Sequence, residues 1–325
     1  MARILDGSDP HAIATAAAAL RAGEVVAFPT ETVYGLGTDA LNERAVAQVF
    51  AVKNRPRFDP LIVHLPDKEM VSQYAAVVDE WAVALMERFW PGPLTLVLRK
   101  RPLIPDLVTA GLDTVALRVP AHPVALALLR ALGRPIAAPS ANPFGYVSPT
   151  AASHVQEMLG DAIGLILDGG PCAVGIESTV CALTETDAVV LRPGGVTVEE
   201  IEAVIGPVTV TASSQSDPRS PGTLPRHYSP HVPLTLLAPG EPIPSPGKGQ
   251  RVGLLTLTPC SDVEGYAVVE ALSKDGSLLE AAANLFAALR RLDSLGLERV
   301  VVKPVPEDGI GRAIMDRLRR ATARG

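Results

Sequence analysis

The chain predicts an α/β fold: a twisted, mixed sheet with helices packed on it, followed by a smaller α/β domain. Three observations carry this expectation. Short β-rich runs alternate with apolar, helix-forming stretches over the first two thirds of the 325 residues. Some of those strands follow one another with no helix between them, which favours mixed over purely parallel pairing. A proline-rich break then precedes a second, shorter round of alternation, and the length suits two domains.

Taken in order, residues 12–22 read as a helix because alanine is the best helix former, with Gly23 as its C-cap. Residues 24–28 are a β-rich run ending at Pro29. A helix over 45–53, a strand over 61–65, a helix over 79–89 and strands over 94–98 and 115–119 follow. The helix over 123–132 opens with a proline in its first turn. A short buried strand at 136–138 precedes a helix over 150–159, started by Ser148-Pro149-Thr150. Strands over 165–167, 179–183 and 189–191 and a helix over 198–204 complete the first unit, residues 1–207. Prolines at 218, 221, 225, 230, 233, 239, 242, 244 and 246 then rule out regular helix or central strand between 212 and 250. Residues 208–250 are therefore expected to be a linker or lid, with Arg226, His227 and Tyr228 near its middle. A strand over 251–257, an amphipathic helix over 278–295, a strand over 299–303 and a helix over 310–321 make the final domain, residues 251–325.

Charge narrows the function. The net charge is −6, and residues 1–205 hold 15 Lys+Arg against 23 Asp+Glu, while residues 206–325 hold 14 against 12. Broad adhesion to nucleic acid or anionic membrane is disfavoured, and an anion site in the first unit must be a local pocket of cations. Three cysteines without CxxC spacing suggest neither a disulfide framework nor structural zinc. The N-terminus lacks the apolar core of a signal peptide, so a cytoplasmic protein is expected.

Polar and basic residues recur just past apolar strands, where open α/β folds build binding sites. Lys53 and Arg55 either complement a helix dipole or clamp phosphate. Ser140 and Asn142 either serve a turn or offer donors to an anion beside Gly145 and the Ser148 helix start. Arg118, inside the apolar run Val115-Ala116-Leu117-Arg118-Val119, must find a carboxylate, solvent or an anionic ligand, and Arg192 before Pro193-Gly194-Gly195 poses the same question. There is no GxxxxGK[ST] loop, no GxGxxG after a strand, no HExxH and no nucleophile elbow. Catalysis by this chain would rest on positioning and electrostatics.

Taken together, Pro29-Thr30-Glu31-Thr32-Val33-Tyr34-Gly35-Leu36, Lys53-x-Arg55-Pro56, Pro60-Leu61-Ile62-Val63-His64, Trp90-Pro91-Gly92-Pro93-Leu94-Thr95, Arg118-Val119-Pro120, Ala138-Pro139-Ser140-Ala141-Asn142, Glu177-Ser178-Thr179-Val180 and Leu191-Arg192-Pro193-Gly194-Gly195 closely resemble the threonylcarbamoyl-AMP synthase family. Ser220-Pro221-Gly222 and His227-Tyr228-Ser229-Pro230, followed by an α/β domain, resemble its long two-domain form. The resemblance implies an N-terminal YrdC-like domain, a twisted sheet around a concave, positively lined cavity, and a Rossmann-like C-terminal domain. It implies an enzyme that joins L-threonine, bicarbonate or CO2, and ATP into L-threonylcarbamoyl-AMP with release of pyrophosphate. A separate threonylcarbamoyl transferase complex would then modify the adenosine beside the tRNA anticodon, so tRNA itself is not expected to bind tightly, nor a membrane.

By matching motifs, the resemblance places Thr32, His64, Arg118, Ala138 and Ser178 on the threonine side. It places Arg55, Asp59, Thr114, Ser140, Asn142, Ser148, Arg192 and Tyr228 on the ATP side, with Lys53, Arg55 and Arg192 in the catalytic role and Mg2+ carried by ATP rather than by protein ligands. Asp59 departs from the asparagine common before the Pro-Leu pair; an ionised carboxylate cannot donate a hydrogen bond and repels phosphate unless it faces adenosine or a metal. The competing readings are an RNA-binding protein using the concave surface and another carbamoyl-adenylate enzyme. Acidic charge and few aromatics weigh against the first; length and cysteine content weigh against the second.

Overall fold

The structure, a computed structural model, describes residues 1–184, 186–211, 227–261 and 263–323. Its first sheet contains β1 (Arg3–Asp6), β2 (Val26–Phe28), β3 (Gly35–Asp39), β4 (Ile62–His64), β5 (Leu94–Arg99), β6 (Thr114–Arg118), β7 (Ile136–Ala137), β8 (Leu165–Asp168), β9 (Thr179–Leu183), β10 (Ala188–Arg192) and β11 (Thr209–Val210). Among the described residues the spatial order is β1-β8-β2-β3-β7-β4-β6-β5-β9-β10-β11. The pairing is mixed, as the strand-only stretches require: β4 and β6 are parallel, β5 and β6 antiparallel, β5 and β9 parallel.

Helices α1 (Pro10–Arg21), α2 (Glu43–Lys53), α3 (Val71–Tyr74), α4 (Glu80–Phe89), α5 (Asp106–Thr109), α6 (Pro123–Leu132), α7 (Ala152–Leu159) and α8 (Val198–Ile205) pack on this sheet. Their ends are written in the sequence. The side chains of Asp9, Asn42 and Asp79 accept backbone N–H groups at the starts of α1, α2 and α4, and Thr197 with Glu200 forms a full capping box on α8. Gly133 takes the left-handed C-cap of α6.

Where the sequence reading and the structure differ, local chemistry explains it. β3 was not foreseen because Gly-Leu-Gly-Thr-Asp is poor strand sequence, yet it is buried throughout. A β-carbon on Gly37 would lie 2.6 Å from the Phe28 ring and 2.8 Å from Ile136, so glycine is what lets the strand pack this closely. The expected linker contains two short strands. β11 extends the first sheet, and β12 (Leu234–Leu236) joins the second. β12 tolerates the prolines around it because it is an edge strand. Ser220-Pro221-Gly222 and Arg226 lie outside the described residues.

The second sheet, β12-β15-β13-β14, is parallel throughout, with β13 (Val252–Thr256), β14 (Val268–Ala271) and β15 (Arg299–Val302), and α9 (Leu278–Asp293) and α10 (Gly311–Thr322) cover it. The two units share an apolar cluster: Val33, Val147 and Ile176 of the first pack with Tyr228 of the linker and with Leu285 and Phe286 of the second. No helix among the described residues is long and apolar enough to cross a membrane.

Candidate active site

The central strands set out the site. β4 and β6 run parallel with Ile62 opposite Ala116 and His64 opposite Arg118, so the imidazole and guanidinium stand side by side at the ends of two strands. The loop after β2 brings Thr30 and Thr32 to the same place, held as a turn by Thr30, whose hydroxyl donates to the Val33 carbonyl at 2.6 Å and contacts Thr32 Oγ1 at 2.8 Å. The loop after α2 supplies Arg55, the turn after β7 supplies Ala138, Pro139 and Ser140, and the entry to β9 supplies Glu177 and Ser178. Arg192 ends β10. His227 and Tyr228 close the cavity that these residues line. With His227 and Tyr228 in place its free volume is about 50 Å3, room for a few water molecules, so a nucleotide would need these two side chains to move aside.

Each cation in the wall is held by the protein. Arg118 pairs with Glu31 at 2.7 Å, donates from Nη1 to Thr32 Oγ1 at 3.0 Å and from Nε to the Gly92 carbonyl at 3.2 Å. Arg55 pairs with Asp59 at 2.8 Å and donates to the Pro60 carbonyl at 2.9 Å. Arg192 donates from Nη2 to the Ser178 carbonyl at 2.8 Å and to Ser178 Oγ at 3.2 Å. Burial, reinforced by Arg118, pushes the His64 pKa down to about 3, so the ring is neutral near pH 7 and its Nδ1 has no hydrogen-bond partner. Burial, with Arg55, Lys53 and Arg192 nearby, likewise pushes His227 well below its ordinary value. Burial raises the Asp59 pKa, against the pull of Arg55 and Lys53.

Tyr228 is unusual in its backbone. Its φ is +62°, a left-handed conformation uncommon for a bulky residue. Its ring lies 4.1 Å from that of His227 and stacks at 5.5 Å on Phe286 from the C-terminal domain, and its hydroxyl has no hydrogen-bond partner.

Of the residues singled out from the sequence, Thr32, Arg55, His64, Arg118, Ala138, Ser140, Ser178, Arg192 and Tyr228 meet on this one wall. The others are placed elsewhere. Lys53 is buried and donates from Nζ to the carbonyls of Ser140 (2.5 Å) and Asn142, so its charge pins the turn after β7 and does not face the cavity. Asn142 spends its amide on the Pro143 and Tyr146 carbonyls, both at 2.9 Å. Ser148 donates to Glu177 Oε1 at 2.6 Å. Asp59 stands behind Arg55 as its counter-ion, which accounts for a buried carboxylate beside the cations of the cavity wall. Thr114 begins β6, four residues from Arg118 and outside the cavity lining. Glu31 and Glu177 were not singled out as site residues. Both sit in the quoted motifs, and an acid beside a buried arginine partner was the signal that could have found them.

Comparison with known proteins agrees with this geometry. Residues 18–194 match the Sua5_yciO_yrdC family model, described as telomere recombination, and residues 196–323 match the model described as threonylcarbamoyl-AMP synthase, C-terminal domain. The threonylcarbamoyl-AMP synthase of Bacillus subtilis is 46% identical over 328 residues, covering 98% of this chain and 94% of the relative. The crystal structure of Pyrococcus abyssi Sua5 complexed with L-threonine superposes with a TM-score of 0.89 at 42% identity, covering 97% of this chain and 95% of that one. Escherichia coli YciO, 27% identical with a TM-score of 0.53, covers 60% of this chain and 96% of its own. On these matches over nearly its whole length, the chain belongs to the threonylcarbamoyl-AMP synthase family, in its two-domain form.

Proposed function

We propose that the chain makes L-threonylcarbamoyl-AMP and pyrophosphate from L-threonine, bicarbonate or CO2, and ATP, with the chemistry in the cavity closed by Tyr228. The observation that carries the reading is the division of one cavity wall. His64 and Arg118 at the ends of β4 and β6, with Thr32 in the loop after β2, suit a small amino acid, while Arg55, Ser140 and Arg192 supply cations and a hydroxyl suited to phosphate.

Arg118 takes the threonine carboxylate, and the small Ala138 leaves room for the β-carbon substituents. Neutral His64, with a free ring nitrogen, is a hydrogen-bond partner for the amino acid and adds no positive charge where an amine must be uncharged to react. The threonine ammonium gives up one proton, and the free amine adds to CO2 and gives up a second, both passing to solvent, which leaves a carbamate. A carbamate oxygen then attacks the α-phosphorus and pyrophosphate departs. Arg55 and Arg192 hold and neutralise the phosphates, so the main contributions are positioning and charge stabilisation.

A magnesium ion would arrive with the triphosphate. Asp59, wholly buried behind Arg55 as its counter-ion and outside the cavity lining, is not placed to hold it, so the phosphates themselves would be its ligands. The ion would offset charge on the phosphates. The product then passes to a separate transferase acting on tRNA. Buried, unpaired Cys172 and Cys181 suit a reducing compartment, and we place the protein in the cytoplasm.

Threonine-dependent release of pyrophosphate from ATP in the absence of RNA tests the reading. Release that is indifferent to threonine would refute it.

A further inference from the structure

We infer that the C-terminal domain supplies a positioning residue to the cavity, Arg317 of α10, which fixes three segments of the cavity wall at once; this rests on the function proposed above. Arg317 is fully buried and lies 140 residues from the acid it pairs with. Its Nε donates to Glu177 Oε2 at 2.9 Å, its Nη1 donates to the Pro193 carbonyl at 2.8 Å, and its guanidinium carbon lies 5.2 Å from the centre of the Tyr228 ring.

Apart from a donation within α10, from Nη1 to Asp316 Oδ2 at 2.8 Å, each contact falls on a cavity residue or its immediate neighbour. Glu177 lines the cavity and precedes Ser178. Pro193 follows Arg192. The two loops are packed backbone to backbone, because a β-carbon on Gly194 would run into the Glu177 carbonyl and the Ser178 backbone. Glu177 is held from the far side by Ser148, which donates to Oε1, so Arg317 completes the pairing of a carboxylate buried in the wall. The planar fork spans Glu177 and Pro193 while its face meets the tyrosine, a combination that one ammonium cannot reproduce.

The geometry has a functional reading because Arg192 and Ser178 are themselves joined, Nη2 to carbonyl at 2.8 Å. A shift of either loop moves the phosphate-facing guanidinium and the threonine-side hydroxyl together, and displacements near 1 Å can cost about a hundredfold in rate. Arg317 touches the closing tyrosine as well, so one side chain of α10 holds Tyr228 and the two loops in a single arrangement.

The test uses the full-length chain with Arg317→Met, Arg317→Lys and, as a control, Arg312→Ala. Arg312 ties the same helix to the first domain elsewhere, donating from Nη2 to Glu199 Oε1 at 2.9 Å, away from the cavity lining. Melting temperature, the melting shift induced by ATP with Mg2+, and kcat and KM for ATP and threonine are measured below all melting points. The expected result is a loss of tenfold to about a hundredfold in kcat/KM for ATP and a diminished ATP-induced shift in Arg317→Met. Arg317→Lys should recover melting temperature more than it recovers kcat. Arg312→Ala should leave kcat/KM within about twofold, as a contact remote from the wall would. An Arg317→Met enzyme with wild-type kcat/KM and ATP shift would overturn the inference, as would an equal kinetic loss in Arg312→Ala. A wild-type protein that binds ATP but shows no threonine-dependent turnover would instead refute the proposed function, and the ATP shift would still decide the role of Arg317.

Discussion

Arg118 and Glu31 meet at 2.7 Å with both side chains nearly buried, so the guanidinium proposed to take the threonine carboxylate already holds a carboxylate of the protein. Glu31 keeps Arg118 paired between turnovers, when an unpartnered buried cation would be costly. Threonine must share or displace this contact, and the flat, multi-donor guanidinium can serve two carboxylates at once.

Arg118→Lys therefore weakens threonine binding by about tenfold or more, since an ammonium cannot satisfy Glu31, Thr32 and a substrate carboxylate together. ATP binding changes less. Calorimetric titration with each ligand reads both, and equal losses for the two would place Arg118 outside threonine recognition.

Arg55→Ala abolishes turnover and also lowers stability, because it leaves Asp59 buried without its counter-ion. Removing one partner of a buried pair costs roughly 3–5 kcal/mol. Arg55→Ala with Asp59→Asn regains most of that stability and none of the turnover. Urea unfolding beside pyrophosphate release measures this, and a single Arg55→Ala variant as stable as wild type would contradict the pairing.

Tyr228→Ala opens the cavity. A mixed anhydride exposed to water hydrolyses, so the variant releases more AMP per pyrophosphate than the wild type does. Product analysis by chromatography gives the ratio, and a ratio unchanged from wild type would remove Tyr228 from closure. Proteolysis supplies a second check: the bonds around residues 227–231 should become protected when ATP and threonine are both present.

Stability falls with acidification before carboxylates titrate. The folded pKa of His64, about 3, lies below the ordinary 6.5, so between those values the unfolded chain binds a proton that the folded one does not. The stabilisation is complete above pH 6.5 and drains away as pH falls, at ~2 kcal/mol between pH 7 and pH 5. His227, also depressed, acts in the same direction, whereas Asp59, raised by burial, acts in the opposite one. Unfolding His64→Gln and wild type at both pH values isolates the His64 share. An identical pH dependence in the two would show that His64 does not carry it.

Much of the fold was legible because helix ends and buried strands carry local chemistry: Asp9, Asn42 and Thr197 cap where the pattern starts, and β6 and β9 are apolar runs. β3 and β12 were hidden, one by glycines needed for close packing against Phe28 and Ile136, the other by prolines that an edge strand tolerates. In the site, the cavity wall was legible through its motifs. The use of each cation was not. Lys53 and Arg55 are two residues apart, yet one turns to carbonyls and the other lines the cavity, a choice made by packing distant in sequence. The Glu177 to Arg317 pairing leaves no local trace at all.

The apolar cluster shared between the two domains sets a condition on how the chain can be divided. Val33, Val147 and Ile176 belong to the first unit but are covered by Phe286 and Leu285 of α9. Cut away, the first unit would present these side chains to water as one sticky face, and self-association would compete with folding before any loss of activity could be read. A soluble single-domain version of this protein would accordingly require polar replacements at Val33, Val147 and Ile176, and its solubility would depend on those three positions more than on the point of cleavage.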